Sequence, residues 1–228
     1  MKDWFAGSVA ERYDADTADM PVEPVLDFLL PFASGGALEL AIGTGRIAVP
    51  LAERGVRVAG IDLSPDMVAQ LRAKTAEIPV EIGDYAATRI DARFSLVFIV
   101  FNSISNQTTQ EGQIATFANA AAHLEPGGCF VVEVGVPNTA RLEVFDLSES
   151  HVGIDEYEPA TQHFVSHHFN LVDGHWQRLS IPFRSVSPGE FDLMARLAGM
   201  ELRERWTDWD RSPFTAESTR HVSVWEKP

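Results

Sequence analysis

The chain has one cysteine, Cys129, in 228 residues. No internal disulfide can form, so a reducing, cytoplasmic setting is expected. Cations are few: eighteen Lys and Arg stand against thirty-three Asp and Glu. With a formal net charge of −15 there is no basic footprint for phosphates, and DNA and RNA are not expected as partners. No apolar run approaches the roughly 18 residues of a membrane span. The start, "MKDWFAGSVAERYD", lacks the apolar stretch of a secretory signal. No membrane partner is expected. The Gly-x-Ser-x-Gly elbow of hydrolases is missing, as is the Tyr-x-x-x-Lys pair of short-chain reductases. Metal-ligand spacing is missing too. His163 and His167 in "HFVSHHF" lie four apart, but their neighbours favour a strand, where four residues span roughly 13 Å.

What the chain does contain is a repeated strand–helix rhythm. Strands are expected at 37–42, 56–62, 78–84, 94–102 and 129–136, with helices at 46–55, 64–76 and 111–124 between them. Ser64 and Pro65 open one helix, and Gly55 closes another. A short helix is expected to end near Phe32, and the mostly polar residues 1–20 are assigned no element. "FSLVFIVFN" is apolar almost throughout, which suits a strand buried on both faces. After Pro137 the rhythm changes. Residues 163–186 read as an antiparallel hairpin or meander about "DG", followed by a helix at 187–200 and two closing strands. The expected fold is α/β: a doubly wound, Rossmann-like, mostly parallel seven-stranded sheet with helices on both faces. Added antiparallel strands lie in the C-terminal half. One domain is expected over 1–228: an N-terminal lid and helix (1–33), a cofactor-binding core (34–136), an acceptor-covering insertion (137–187), and a closing helix and strands (188–228).

The chemistry is expected in "LELAIGTGR", residues 38–46. Gly43 allows a sharp bend after a strand, and Gly45 allows close approach of a ligand. The following helix offers unpaired N–H groups. Asp62 ends the second strand, nineteen positions after Gly43, where a carboxylate can accept both hydroxyls of a ribose. Asp84 ends the third strand, and Glu39 lies near the same sheet edge. Any one of these acids is as well explained by a cap or a turn. Three near successive strand ends point to one ligand crevice.

The stretches "LELAIGTGR", "VAGIDLSPDMV", "IGDY" and "HLEPGGCFVVEV" resemble, in order, the class I S-adenosylmethionine-dependent methyltransferases of small molecules. The resemblance covers roughly residues 35–136. It implies S-adenosyl-L-methionine as cofactor and methyl transfer to an O or N atom of a small molecule. It implies that Glu39 holds the methionine amino end, and that Ala41, Gly43 and Gly45 form the loop beneath it. Asp62 would take the ribose, Leu63 and Met67 the adenine ring, and Asp84 the adenine amino group, with Tyr85 beside it. Phe101 and Asn102 would face the methyl group, and Tyr13 would close over the cofactor. The family often has Gly at Ala41 and Cys or Ala at Ile42. A general base is not singled out. His151, His167 and His168 are candidates because they lie in the covering region, and Asn102 and Tyr13 can orient an acceptor. Trp4, Phe5, Trp176, Trp206 and Trp209 fit a core better than a pocket.

Two other readings stay open on the residues alone. Gly43, Gly45 and Ala48 also fit the dinucleotide fingerprint, so an NAD-dependent oxidoreductase is the second reading. A nucleotide-binding module without catalysis is the third. A homodimer through the added strands is an expectation that no particular residue carries.

Overall fold

A computed structural model describes residues 2–138 and 140–228. The chain begins with α1 (Ser8–Asp16) and α2 (Glu23–Leu29). The first corrects the sequence reading, which placed no helix before residue 20. No side chain caps α1, and Ala10 is its one buried residue. Tertiary bonds hold it instead. Gly7 N–H donates to Asp66 at 2.7 Å, and Asp14 takes both the Thr44 hydroxyl and the Lys74 ammonium. Local sequence carries little signal when a helix is stabilised that way.

The central units follow the expected order. They are β1 (Ala37–Leu40), α3 (Ala48–Glu53), β2 (Val58–Asp62), α4 (Pro65–Lys74), β3 (Val80–Ile82), β4 (Phe94–Ile99), α5 (Gln110–His123) and β5 (Leu124–Gly135). Ser64 caps α4 by accepting from Met67 N–H. Thr109 caps α5 in the same way through Gly112 N–H. Residues 125–128 are absorbed into β5, with an irregularity in its pairing with β4. Four further strands follow: β6 (Leu142–Leu147), β7 (His151–Glu158), β8 (His163–Val172) and β9 (His175–Arg184). The hairpin about Asp173–Gly174 is as expected. Both turn residues have positive φ, 51° and 76°, which suits a two-residue turn. Strands β6 and β7 were not legible. The chain closes with α6 (Pro188–Leu197), β10 (Glu201–Trp206) and β11 (Arg220–Glu226).

The larger sheet has the order β10-β11-β5-β4-β1-β2-β3. Strand β11 runs against its two neighbours, and the other pairings are parallel. From β1 the chain builds outward to β3, then crosses to β4 on the other side. This makes a topological switch point at the carboxyl ends of β1 and β4, where such sheets open a ligand crevice. Alternate residues of β4 enter two separate cores. Val97 and Ile99 face one, and Leu96 and Phe98 face the other. That is why this strand reads as continuously apolar.

The smaller sheet, β6-β7-β8-β9, is antiparallel. Arg184 at the end of β9 ties it to the core. Its guanidinium bonds Gln113 of α5, Gln162 and Glu190 of α6. Among the described residues no helix is long and apolar enough to cross a membrane.

Phe117 of α5 is fully buried, with ring centroids of Phe130, Trp225 and Phe191 at 5.1, 5.2 and 5.8 Å. Phe117→Ala is expected to cost about 3–5 kcal/mol. A urea titration followed by tryptophan fluorescence measures it. A loss below about 1 kcal/mol would show that this cluster collapses around the gap.

Candidate active site

One cavity of about 1050 Å³ lies over the switch point. That is at the upper end of small-molecule sites. Its floor is the carboxyl edge of the large sheet, one wall is α1, and its roof is one face of the small sheet. Tyr13, Glu39, Ala41, Gly43, Asp62, Leu63, Met67, Tyr85, Phe101, Asn102 and His168 all line it. Trp4 and Phe5 join them, whereas Trp206 and Trp209 pack on the core and Trp176 is exposed.

Asp62 organises the floor. Its carboxylate accepts from Gly43 N–H at 2.6 Å and Ser64 N–H at 2.8 Å. Each carboxylate oxygen keeps one further acceptor site. Burial raises its pKa, and these backbone bonds oppose the rise. Glu39 is 3% exposed, and its Oε2 has no hydrogen-bond partner. Burial pushes its pKa well above 4.5, Arg46 pulls it down, and Asp62 adds to the rise. Burial likewise pushes the Tyr13 phenol up to about 12, so it stays neutral.

Ala41 adopts φ 58°, a left-handed conformation that favours glycine. This accounts for the family's usual residue at that position. Ile42 fills space that Gly60 leaves open, since a Cβ on Gly60 would meet Ile42 at 2.4 Å. Phe101 and Asn102 are also left-handed, at φ 55° and 59°. Glu133 of β5 holds this strained pair by accepting from Phe101 N–H at 2.6 Å. The sequence reading missed Glu133. Its signal was an acid inside the apolar run "VVEVGV". Asn102 Oδ1 accepts from Gly135 N–H at 2.7 Å, so that oxygen supports the loop.

Three expected site residues fall outside the cavity lining. Gly45 serves helix packing, because a Cβ there would meet Val49 at 2.9 Å and Leu71 at 3.0 Å. Asp84 turns its Oδ1 to Ala86 N–H and the Gln107 amide, which closes the turn after β3. His167 lies on the other face of β8, bonded to Ser180 at 2.8 Å. Neighbouring strand residues point to opposite faces, so His167 and His168 cannot both face one ligand. His151 joins His168 in the roof, as do Asp155 and Ser166.

Comparison with known proteins shows what this arrangement is. The chain is 30% identical over 191 residues to the dTDP-3-amino-3,4,6-trideoxy-alpha-D-glucopyranose N,N-dimethyltransferase of Streptomyces venezuelae. That match covers 82% of this chain and 76% of the relative. The chain belongs to the S-adenosylmethionine-dependent methyltransferases. A sequence model of the methyltransferase domain matches residues 37–128. The Cypemycin N-terminal methyltransferase of a Streptomyces species is 28% identical, covering 86% of this chain and 85% of its own. The solved CcbJ methyltransferase from Streptomyces caelestis superposes with a TM-score of 0.89 at 32% identity, over 99% of both chains. These relatives set aside the dehydrogenase and the non-catalytic module. The protein is an enzyme, and its cofactor is S-adenosyl-L-methionine.

The floor fits that cofactor. The unpartnered Glu39 Oε2 offers a buried acceptor of the kind a cationic amino group needs. Gly43 leaves the loop open, since a Cβ there would meet Met67 at 3.2 Å. Two outcomes follow. Asp62→Ala removes the acceptor that shapes the Gly43 turn, and S-adenosylhomocysteine affinity should fall at least tenfold by calorimetry. Unchanged affinity would remove that role. Glu39→Gln should weaken the same binding yet raise the stability of the ligand-free protein. Above pH 4.5 the unfolded chain ionises Glu39 while the folded chain retains the proton. Stability is therefore lost as pH rises from 4.5 towards the raised native pKa. Thermal unfolding from pH 4 to 8 should show that decline in the native protein and a smaller one in the variant.

Proposed function

We propose that this methyltransferase methylates the nitrogen of a small-molecule amine. The observation that carries the reading is the charge of the roof. The cavity-facing side chains of β6 to β9 include the carboxylates of Glu143 and Asp155 and the imidazoles of His151 and His168. Among the described residues of those strands, no Lys or Arg lines the cavity. A site of that sign attracts a cation and repels a phosphate or carboxylate. The two curated relatives named above support it, since one is named for N-terminal methylation and the other for N,N-dimethylation of an amino sugar.

In this reading residues 1–33 close over the cofactor, 34–136 bind it and 137–187 cover the acceptor. S-adenosylmethionine would supply an electrophilic methyl group, carried on a positive sulfur, to an unprotonated nitrogen. The protein's part is to place the acceptor and keep its nitrogen unprotonated. Asp62 and Glu39 hold the cofactor, with Gly43 and Ala41 forming the turn beneath it. Leu63, Met67 and Tyr85 pack beside its ring, and Phe101 and Asn102 form the wall next to the methyl group. Tyr13 orients the acceptor as a neutral phenol, and His168 is the base. The buried Cys129 thiol fits a reducing cytoplasm.

An acceptor screen tests the reading. Primary and secondary amines, phenols, sugars and carboxylates are offered with S-adenosylmethionine, and S-adenosylhomocysteine release is measured. Turnover is expected with amines and not with carboxylates. Turnover confined to hydroxyl or carboxylate acceptors would overturn it.

A further inference from the structure

The roof carries a chain of polar side chains with a carboxylate at each end. Asp146 Oδ2 lies 2.5 Å from His151 Nδ1. His151 Nε2 lies 3.1 Å from His168 Nδ1, and the two rings are stacked. His168 Nε2 lies 3.2 Å from Ser166 Oγ. Ser166 sits directly opposite Asp155 across the β7–β8 ladder, and burial raises the Asp155 pKa. Asp155 Oδ1 is buried and has no partner.

Local geometry explains why these groups meet. A bulge in β6 between Val144 and Asp146 shifts the register and brings Asp146 to His151. Gly153 pairs with His168, and its missing side chain leaves room for the Phe145 ring, which meets His168 edge-on at 5.5 Å. The His168 ring is thereby packed from the side as well as bonded at both nitrogens.

The order of the partners dictates the protons. Asp146 can only accept, so His151 Nδ1 carries hydrogen. With His151 neutral, its Nε2 is bare and His168 Nδ1 donates to it. His168 Nε2 is bare in turn and accepts from Ser166. Asp155 is left as the one member with an unfilled acceptor, and it faces the cavity.

Resting on the amine reading above, we propose that Asp155 binds the acceptor's ammonium group and that Ser166, His168 and His151, backed by Asp146, carry its proton away. The N–H bond breaks with its electron pair left on nitrogen. The proton bonds to Ser166 Oγ as the Ser166 hydroxyl proton passes to His168 Nε2. His168 hands its Nδ1 proton to His151 Nε2. The positive charge ends on His151, against Asp146, and the neutral amine keeps a free lone pair. Asp155, Ser166 and His168 reach the acceptor side. His151 and Asp146 are positioning residues, because they fix the tautomer of His168 from behind.

The charged surroundings agree with this direction. From β6, Glu143 and Asp146 stand near the chain, and from β7 Asp155 and Tyr157 line the cavity. Burial lowers the His168 pKa, and His151 and then His167, on the far face of β8, add to the effect. Strand β9 brings no ionisable side chain to the cavity, and α1 brings Arg12, Tyr13 and Asp16. His168 is therefore held neutral, ready to accept. The bond from His151 lowers the Asp146 pKa, so the far end stays a carboxylate.

Nitrogen NMR of the full chain, ¹⁵N-labelled at histidine and saturated with S-adenosylhomocysteine, tests the proposal. At pH 7.5 both His151 and His168 are expected to carry hydrogen on Nδ1 with bare Nε2. Asp146→Asn should release the tautomer of His168, which Asp146 does not touch. A His168 signal blind to Asp146→Asn would overturn the relay. Cyclohexylammonium serves as the probe for Asp155. Its affinity should fall at least tenfold in Asp155→Asn and stay nearly level in Asp146→Asn. No binding of the probe to the native protein, or equal binding to Asp155→Asn, would overturn the ammonium site. Unchanged S-adenosylhomocysteine affinity in both variants shows that they fold. Hydroxyl-only turnover in the acceptor screen would instead sink the underlying amine reading.

Discussion

Two carboxylates are buried at the carboxyl edge of the large sheet, and much of the site is arranged around that cost. Burying an ionisable group without a partner is destabilising, so each one must be bonded, neutralised or kept for a ligand. Asp62 is bonded, to the N–H of Gly43 in the loop after β1 and to that of Ser64 before α4. Glu39 is left with an unpartnered oxygen. The ligand-free protein holds a group whose natural partner is the amino end of its cofactor. Stability and binding therefore pull in opposite directions at one residue, a common condition at functional sites.

The same edge stores backbone strain. Ala41, Phe101 and Asn102 all take left-handed conformations at the ends of β1 and β4, on either side of the switch point. Glu133 and the Asn102 side chain hold the second strained pair in place. Helix α1 reaches the first loop through Asp14, Thr44 and Lys74. These contacts join three distant parts of the chain at one cavity, so a wall of the site depends on bonds that no local segment contains.

The roof has a different logic. It is a four-stranded antiparallel sheet with one face on the cavity, and its alternation sorts residues by parity along each strand. On β8 Phe164, Ser166, His168 and Asn170 face the ligand space, and His167 faces away. Three apparently equivalent histidines thus separate into two in the cavity and one outside. A glycine at position 153 and a bulge beside Asp146 complete the arrangement by making space and shifting register.

The central α/β order, the Ser64 cap and the Asp173–Gly174 hairpin were legible in the sequence. Each rests on short-range chemistry: a turn that needs positive φ, a cap that needs a hydroxyl, a strand buried on both faces. The cofactor was legible because its motif is local and ordered along the chain. Helix α1, strands β6 and β7, and the roles of Glu133, Asp146 and Asp155 were not. Gly45 and Asp84 carried the right motif at positions that the folded chain uses for packing and turn closure. The sequence by itself determined the parallel core and its cofactor, through periodicity and turn residues that act over a few positions. Only the tertiary structure decided which acids and histidines share the cavity, because strand parity, register shifts and distant hydrogen bonds set side-chain direction.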